Sequence, residues 1–352
     1  MSINLFEKFS PKLDERYKLG SRTDVACGND FDWEGVNSIK VLTLMNPTLN
    51  DYQVGSGMNR FGTPTEVQDE AAVYSLNKKR SFSNTFDVVN VQDQGFVKKA
   101  VMYLKQVWDE VYVPEIDKYR LQRWANGAGT VKVDATALTK TTVVEAMLTA
   151  QAALDDLGVP HENRFIFAKS SIIIKYKLAD EFKTADGIMT KYAIKGQKGE
   201  VDGSPLIGVP DSYMPAGVNF MIKYKKASAD PMKLKILRAH ENAPGIAGVL
   251  MEGLCRYDSF VLANKANGIY VHAQSGACTT PTIQIASNKA TMTAGSGETI
   301  KYTTDGTNPK TSETAEVYND SSKPTIASGA TVRAYAYKTG TVNSGIGEAV
   351  NA

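Results

Sequence analysis

The residues able to do chemistry are few in this sequence and poorly spaced for it. Its three histidines stand alone: His161 in VPHENR, His240 in RAHENAPG and His272 at the end of GIYVH. None belongs to an HExxH pair or has a second histidine at metal-ligand spacing. No GxSxG elbow offers a serine nucleophile. The glycines of GSG (55–57) and GAG (127–129) lack the lysine and hydroxyl that complete a phosphate loop, and read as turns. Asp155 and Asp156 are neighbours near a helix end, so they point different ways and make a poor glycosidase pair. Cys27, Cys255 and Cys278 are scattered singly, as free thiols are, with no framework of pairs. The cationic run Lys78-Lys79-Arg80 can meet nucleic acid or an acidic protein surface. This inventory calls for no cofactor, no metal and no catalytic centre. A function has to come from surfaces.

Composition narrows the class of surface. The chain has 352 residues, enough for two or three domains, with 42% hydrophobic and 22% charged residues and a net charge of +2. That balance gives no basic face of the kind a sequence-reading nucleic-acid binder shows. No apolar run reaches the ~18 residues that span a bilayer, so no membrane partner is expected. The opening stretch MSINLFEKFSPKLDERYKLG is charged early and has no apolar h-region, which argues against a secretory signal.

The elements that must position such surfaces read as follows. Residues 1–45 hold an N-terminal arm and a first strand, SIKVLTL. Residues 46–91 begin with a Gly/Asn/Thr/Pro-rich excursion and end in period-two alternation. Together they predict a long two-stranded arm too polar to bury itself, which needs a partner surface. Its contact candidates are Tyr74, Leu76, Lys78, Lys79, Arg80 and Phe82. Over 94–125 the spacing is helical, with Phe96, Ala100, Leu104, Val107, Trp108 and Val111 on one apolar face. Pro114 predicts a kink or break near Val113. At ~1.5 Å per residue the helix would be roughly 45 Å long, more than a small domain needs. A second helix is expected over 140–157 and strands at 164–168, within 205–240 and within 249–272. Residues 273–282 form a small-residue linker, and 283–352 carry short Thr/Val/Tyr strands, the pattern of a β-sandwich. There, Asp305-Gly306 provides the positive φ of a tight hairpin turn. The sandwich has no Trp or Phe for a flat sugar platform. Its tyrosines at period two suit cross-strand packing instead.

Five stretches, in order, resemble the major capsid proteins of tailed bacteriophages with the Hong Kong 97-type fold. They are YSLNKKRSFSNTFDV (74–88), VPEIDKYRLQRWANG (113–127), LDDLGVPHENRFIFAKSS (154–171), VDGSPLIGVPDSYMP (201–215) and GLCRYDSFVLANKANGIYVH (253–272). The tail phrase IKYTTDGTNPKTS (300–312), with TVRAYAYKTGTVNSGI after it, resembles the chitobiase/hexosaminidase C-terminal type of immunoglobulin-like module. The resemblance implies an α+β capsid fold followed by a small all-β sandwich. The capsid part would comprise an N-arm, an extended β loop (46–91), a spine helix (94–125), and peripheral and axial parts of a body spanning 92–272. It implies self-assembly into pentamers and hexamers, with a separate scaffolding protein, a portal and decoration proteins as partners. Packaged double-stranded DNA would be met without sequence reading. The location implied is the virion, assembled in the bacterial host cytoplasm. The tail is expected to stand outward on its linker, reaching surface glycans or touching neighbouring modules, and if it is decorative, deletion of 280–352 leaves assembly intact. A cellular nanocompartment shell has the same fold, and a carbohydrate-binding adhesin is a further alternative. Covalent cross-linking through Lys78 or Lys79 has no nameable partner residue.

Overall fold

The computed structural model describes residues 20–28, 38–44, 49, 51–55, 60–64, 66, 69–87, 100–179, 197–241 and 243–351. The order begins with β1 (Ser38–Leu44), β2 (Asp69–Ser75) and β3 (Lys78–Asp87). The spine follows as α1 (Ala100–Val107), a π-helical turn (Trp108–Tyr112) and α2 (Val113–Gly127). Then come β4 (Thr130–Val133), α3 (Val143–Asp156), β5 (Arg164–Lys169) and α4 (Ser170–Lys177). The body closes with β6 (Gln197–Val201), β7 (Ser204–Val209), β8 (Val218–Tyr224), β9 (Ser228–Ala229), β10 (Met232–His240), β11 (Gly248–Tyr257), β12 (Phe260–Val261) and β13 (Ile269–Ala273). The tail holds β14 (Thr282–Ala286), β15 (Lys289–Thr293), β16 (Thr299–Thr303), β17 (Glu316–Val317), β18 (Thr331–Tyr337) and β19 (Gly347–Val350).

A six-stranded mixed sheet, β4-β13-β8-β5-β7-β6, organises the body. Its central strands RFIFAK, VNFMIKY and IYVHA are nearly continuous apolar runs because both faces are covered. Period two then divides each strand between two cores. Phe165, Phe167, Met221 and Val271 face Leu121, Trp124 and Ala125 of α2. Ile166, Phe220, Ile222 and Tyr270 face Val143, Met147 and Leu154 of α3 and Ile172 and Tyr176 of α4. The helix end at 155–156 is also more than a solvated cap. The Arg164 guanidinium, whose side chain is fully buried, donates to Asp155 Oδ1 at 2.6 Å, Gln151 Oε1 at 2.9 Å and Pro160 O at 3.0 Å. It thereby ties α3 to β5.

The spine differs from expectation at its middle. It does not break at Pro114. A π turn over Trp108–Tyr112 precedes the proline and the helix runs on into α2. Proline lacks the N–H for the α-helical bond, and an i→i+5 turn accommodates that loss. The extra residue rotates the face. Val111 is turned outward, 55% exposed, and Tyr112 is buried in its place. Leu104 is buried as expected, and Val107 and Trp108 are partly so. Ala100 is the first residue of α1, while Phe96 lies outside the described residues.

The arm differs too. The two strands within 46–91 do not pair with each other. β2 pairs antiparallel with β1, Ile39 opposite Tyr74, and β3 pairs with β11, Phe82 opposite Gly253, in the three-stranded sheet β10-β11-β3. Gly253 is required there: a Cβ would strike the Phe82 ring. Tyr112 and Ile116 of the spine pack beneath this sheet with Cys255 and Tyr257.

The tail is the expected set of short strands, β14-β15 and β17-β16-β18-β19, around Met292, Tyr302, Ile326 and Val332. Residues 273–282 are not a loose tether. Val342 N donates to Gly276 O and Cys278 N to Val342 O, each at 2.9 Å, and Ala277 and Val342 join the core of the body. The Asp305-Gly306 pair does turn the chain, with Gly306 at φ +75°. It is not a two-residue hairpin, because β16 pairs chiefly with β18 and a loop over 304–315 precedes β17.

Candidate assembly surfaces and the body–tail seam

Five of the six arm residues expected as inter-subunit contacts have side-chain contacts within the chain. Tyr74 and Leu76 are buried beside Phe260 and Leu262. The Tyr74 hydroxyl also accepts from Ala263 N at 3.1 Å. Lys78 Nζ lies 5.0 Å above the Tyr119 ring. Arg80 pairs with Glu115 of the spine at 2.5 Å, and Phe82 rests on Tyr112, ring centroids 6.1 Å apart. Lys79 is exposed on β3, which is itself paired with β11. β3 is mostly exposed, with Lys78, Phe82 and Phe86 partly buried; Tyr112 and Ile116 of the spine pack beneath its sheet, and its hydrogen-bonding partner β11 lies about 170 positions away.

Several strongly exposed apolar residues lie between β1 and β2. Leu49 is 92% exposed, Val54 89%, Phe61 83% and Tyr52 52%. Gln53 N donates to Arg60 O at 3.0 Å, and the Tyr52 and Phe61 rings meet edge-on at 5.1 Å. Gly55 and Gly62 hold positive φ at this tip. Tyr52 and Phe61 pack on each other and belong to none of the hydrophobic cores seen among the described residues, and Leu49 and Val54 are exposed on the same stretch. The contact residues expected from sequence lie instead on β2, β3 and the link between them.

The N-terminal stretch before β1 is strapped to the spine. Asp117, buried in α2, accepts from Thr23 Oγ1 at 2.6 Å, Ser21 Oγ at 2.8 Å and Arg22 N at 2.8 Å. Arg120 reaches Asp24 Oδ1 at 2.5 Å. Asp117 and Tyr119 of the PEID-Y phrase are thus bound into the fold, since the Tyr119 hydroxyl donates to Asp258 Oδ1 at 2.7 Å. Burial pushes that hydroxyl above its usual range. Burial likewise pushes the thiol of Cys27 far up, and that of Cys255 to about 11.

The tail meets the body through the loop after Asp305-Gly306. Burial raises the Asp305 carboxyl, but hydrogen bonds from Thr307 and Thr314 outweigh it and hold the group below its ordinary value. This braced turn projects Asn308 and Lys310 onto the body. Asn308 Nδ2 donates to Ala263 O at 2.7 Å. Lys310 Nζ donates to Ser344 O at 2.6 Å, Ala128 O at 2.7 Å and Asn126 O at 3.1 Å. Burial presses the ammonium down to about 7. Alongside, a polar cleft of about 350 Å³ opens between Arg123, Asn126 and Asn343.

A second cleft, about 260 Å³, lies between α3 and the β4 edge and is lined in part by Lys132, Asp134, Tyr270 and His272. The buried His272 ring stacks on Phe220 at 5.0 Å. Burial pushes its pKa below the ordinary 6.5, Asp134 opposing and Lys132 assisting. The unfolded chain therefore takes up a proton that the folded chain refuses, and stability falls as pH drops below about 6.5. Thermal melts between pH 5 and 8 are expected to show this slope, and His272→Phe to reduce it.

Comparison with known proteins agrees with this architecture. A family model described as the chitobiase/beta-hexosaminidase C-terminal domain matches residues 274–348. Among solved structures, one from Mycobacterium phage Che8 aligns with a TM-score of 0.63 at 13% identity, over 78% of this chain and 98% of that one. The capsid structure of the cyanophage P-SCSP1u aligns at 0.59 and 13% identity, over 77% and 93%. The mature capsid of bacteriophage PhiM1 aligns at 0.59 and 9% identity, over 76% and 91%. No curated protein sequence matches. The chain has a phage capsid fold with an immunoglobulin-like domain at its C-terminus.

Proposed function

We propose that this chain is the major capsid protein of a tailed bacteriophage, a structural protein without catalysis or cofactor. Copies tile as pentamers and hexamers into an icosahedral shell around double-stranded DNA. The supporting observation is the exposed apolar tip, Leu49, Tyr52, Val54 and Phe61, on a phage capsid fold. Burying one such side chain against a neighbour contributes about 1.5–3 kcal/mol, and a closed shell repeats the contact at every subunit. The net charge of +2 suits a wall that meets packed DNA without reading it. Scaffold and portal are separate proteins on this reading, and assembly occurs in the bacterial host cytoplasm. The short edge strand β17 of the tail is open to weak multivalent contacts such as surface glycans. Electron microscopy of the purified protein, alone and with a co-expressed scaffold, tests the proposal. Closed particles of uniform diameter are expected; a monomer that persists at high concentration under both conditions overturns it.

A further inference from the structure

The C-terminal end of the spine has no cap of its own. The last turn of α2 carries no basic side chain, and Ala128, which follows it, is extended rather than left-handed. Only one weak bond closes the end locally, Ala128 N to Ala125 O at 3.4 Å. A helix end leaves carbonyls that need donors and carries the negative end of the helix dipole. No larger residue can replace the glycines here to rebuild the end. A Cβ on Gly127 would strike Val261, and one on Gly129 would meet Asn267.

The missing donors come from the tail. Lys310 Nζ takes Asn126 O and Ala128 O together, and Asn343 Nδ2 reaches Asn126 O at 3.4 Å. The same tail strip covers the outer edge of the six-stranded sheet. Ile346 N donates to Gly129 O at 2.8 Å, and a Cβ on Gly345 would meet Val131 N at 3.0 Å. Val342 is buried in the body core and Ile346 packs against it. An open sheet edge is a site of unwanted pairing, and the tail covers the start of this one, at residues 129–131.

We infer that the C-terminal domain is an intramolecular clamp on the spine, with Lys310 acting from outside the helix as its C-cap and residues 342–346 covering the start of the β4 edge. The domain is then part of the load-carrying body. Removing 280–352 would strip the cap and open the edge, so deletion is not neutral, contrary to the expectation from sequence.

Hydrogen–deuterium exchange on the unassembled full-length chain tests this, independently of whether shells form. In the wild type the amides of Cys278, Val342 and Ile346 are expected to be protected. Lys310→Met keeps the stem and removes the donors, and Gly345→Val wedges the seam without touching them. Each is expected to speed exchange at those amides at least tenfold, while β5, β8 and β18 keep their protection. Rapid exchange at the seam in the wild type, or unchanged seam rates in both variants, overturns the clamp. So does a loss of protection that spreads through β5 and β8, which would make these positions general folding residues.

Discussion

Tyr52→Ser combined with Phe61→Ser is expected to abolish shell assembly and leave the single chain folded. The two rings touch each other and otherwise face solvent, so the folded monomer gains little from them. Surface substitutions of this kind usually move stability by no more than about 0.5 kcal/mol. In an interface the account changes. Two buried aromatic side chains contribute about 3–6 kcal/mol per contact, a factor of at least 10² in each association constant. Because a shell closes only if every contact forms, that loss compounds over the lattice. Sedimentation velocity and electron microscopy should show particles for the wild type and only small species for the double variant, with superimposable thermal melts. Particles at unchanged yield would remove the tip from the interface. A drop in melting temperature beyond about 5 °C would place the rings in the chain's own core instead.

The contrast between the tip and the strand beside it shows what the sequence could and could not convey. Period-two and period-3.6 patterns are local, and they located β3, α3, β5 and the tail strands. They cannot say which surface covers an apolar face. The partner of β3 is β11, and the partners of Lys310 are carbonyls at 126 and 128, more than 180 positions away. The π turn was hidden for a different reason. Pro114 is a legible obstacle, but whether a helix breaks or absorbs an extra residue depends on what it packs against. Here Tyr112 and Ile116 are held beneath the β3–β11 sheet, and the helix stays continuous to keep both buried. Composition carries no sign that serines, a threonine and backbone amides from distant segments converge on Asp117 and Asp230.

Asp230→Ala is expected to be the most destabilising single substitution in the body, at about 3–5 kcal/mol. The carboxylate is buried and accepts from Trp124 Nε1 at 2.9 Å and Ser259 Oγ at 2.6 Å, with Ser228 Oγ at 2.5 Å and Gly28 N at 3.4 Å. It joins the spine, the N-terminal strap and the loops around β9 and β12. It also balances two buried cations. Lys223 Nζ lies 4.4 Å from the Trp124 ring centroid and donates to Ala26 O, and Arg120 stands nearby. Burial presses Lys223 down to about 8, and Asp230 is the chief influence holding it that high. Without the carboxylate the lysine loses its proton at lower pH. Between that lower value and about 8, the unfolded variant binds a proton that the folded variant does not, while the wild type gains nothing over the same interval. The variant alone therefore gains stability as pH rises, and its penalty is larger at pH 6 than at pH 8. Asp230→Asn keeps the acceptor oxygen and loses the charge, so it should show the same pH trend with a smaller penalty. Chemical denaturation at the two pH values, followed by tryptophan fluorescence, separates the roles. A penalty for Asp230→Ala that is equal at both would mean that Asp230 acts through its hydrogen bonds to Trp124 and Ser259 and that Lys223 is held by its carbonyl partners alone.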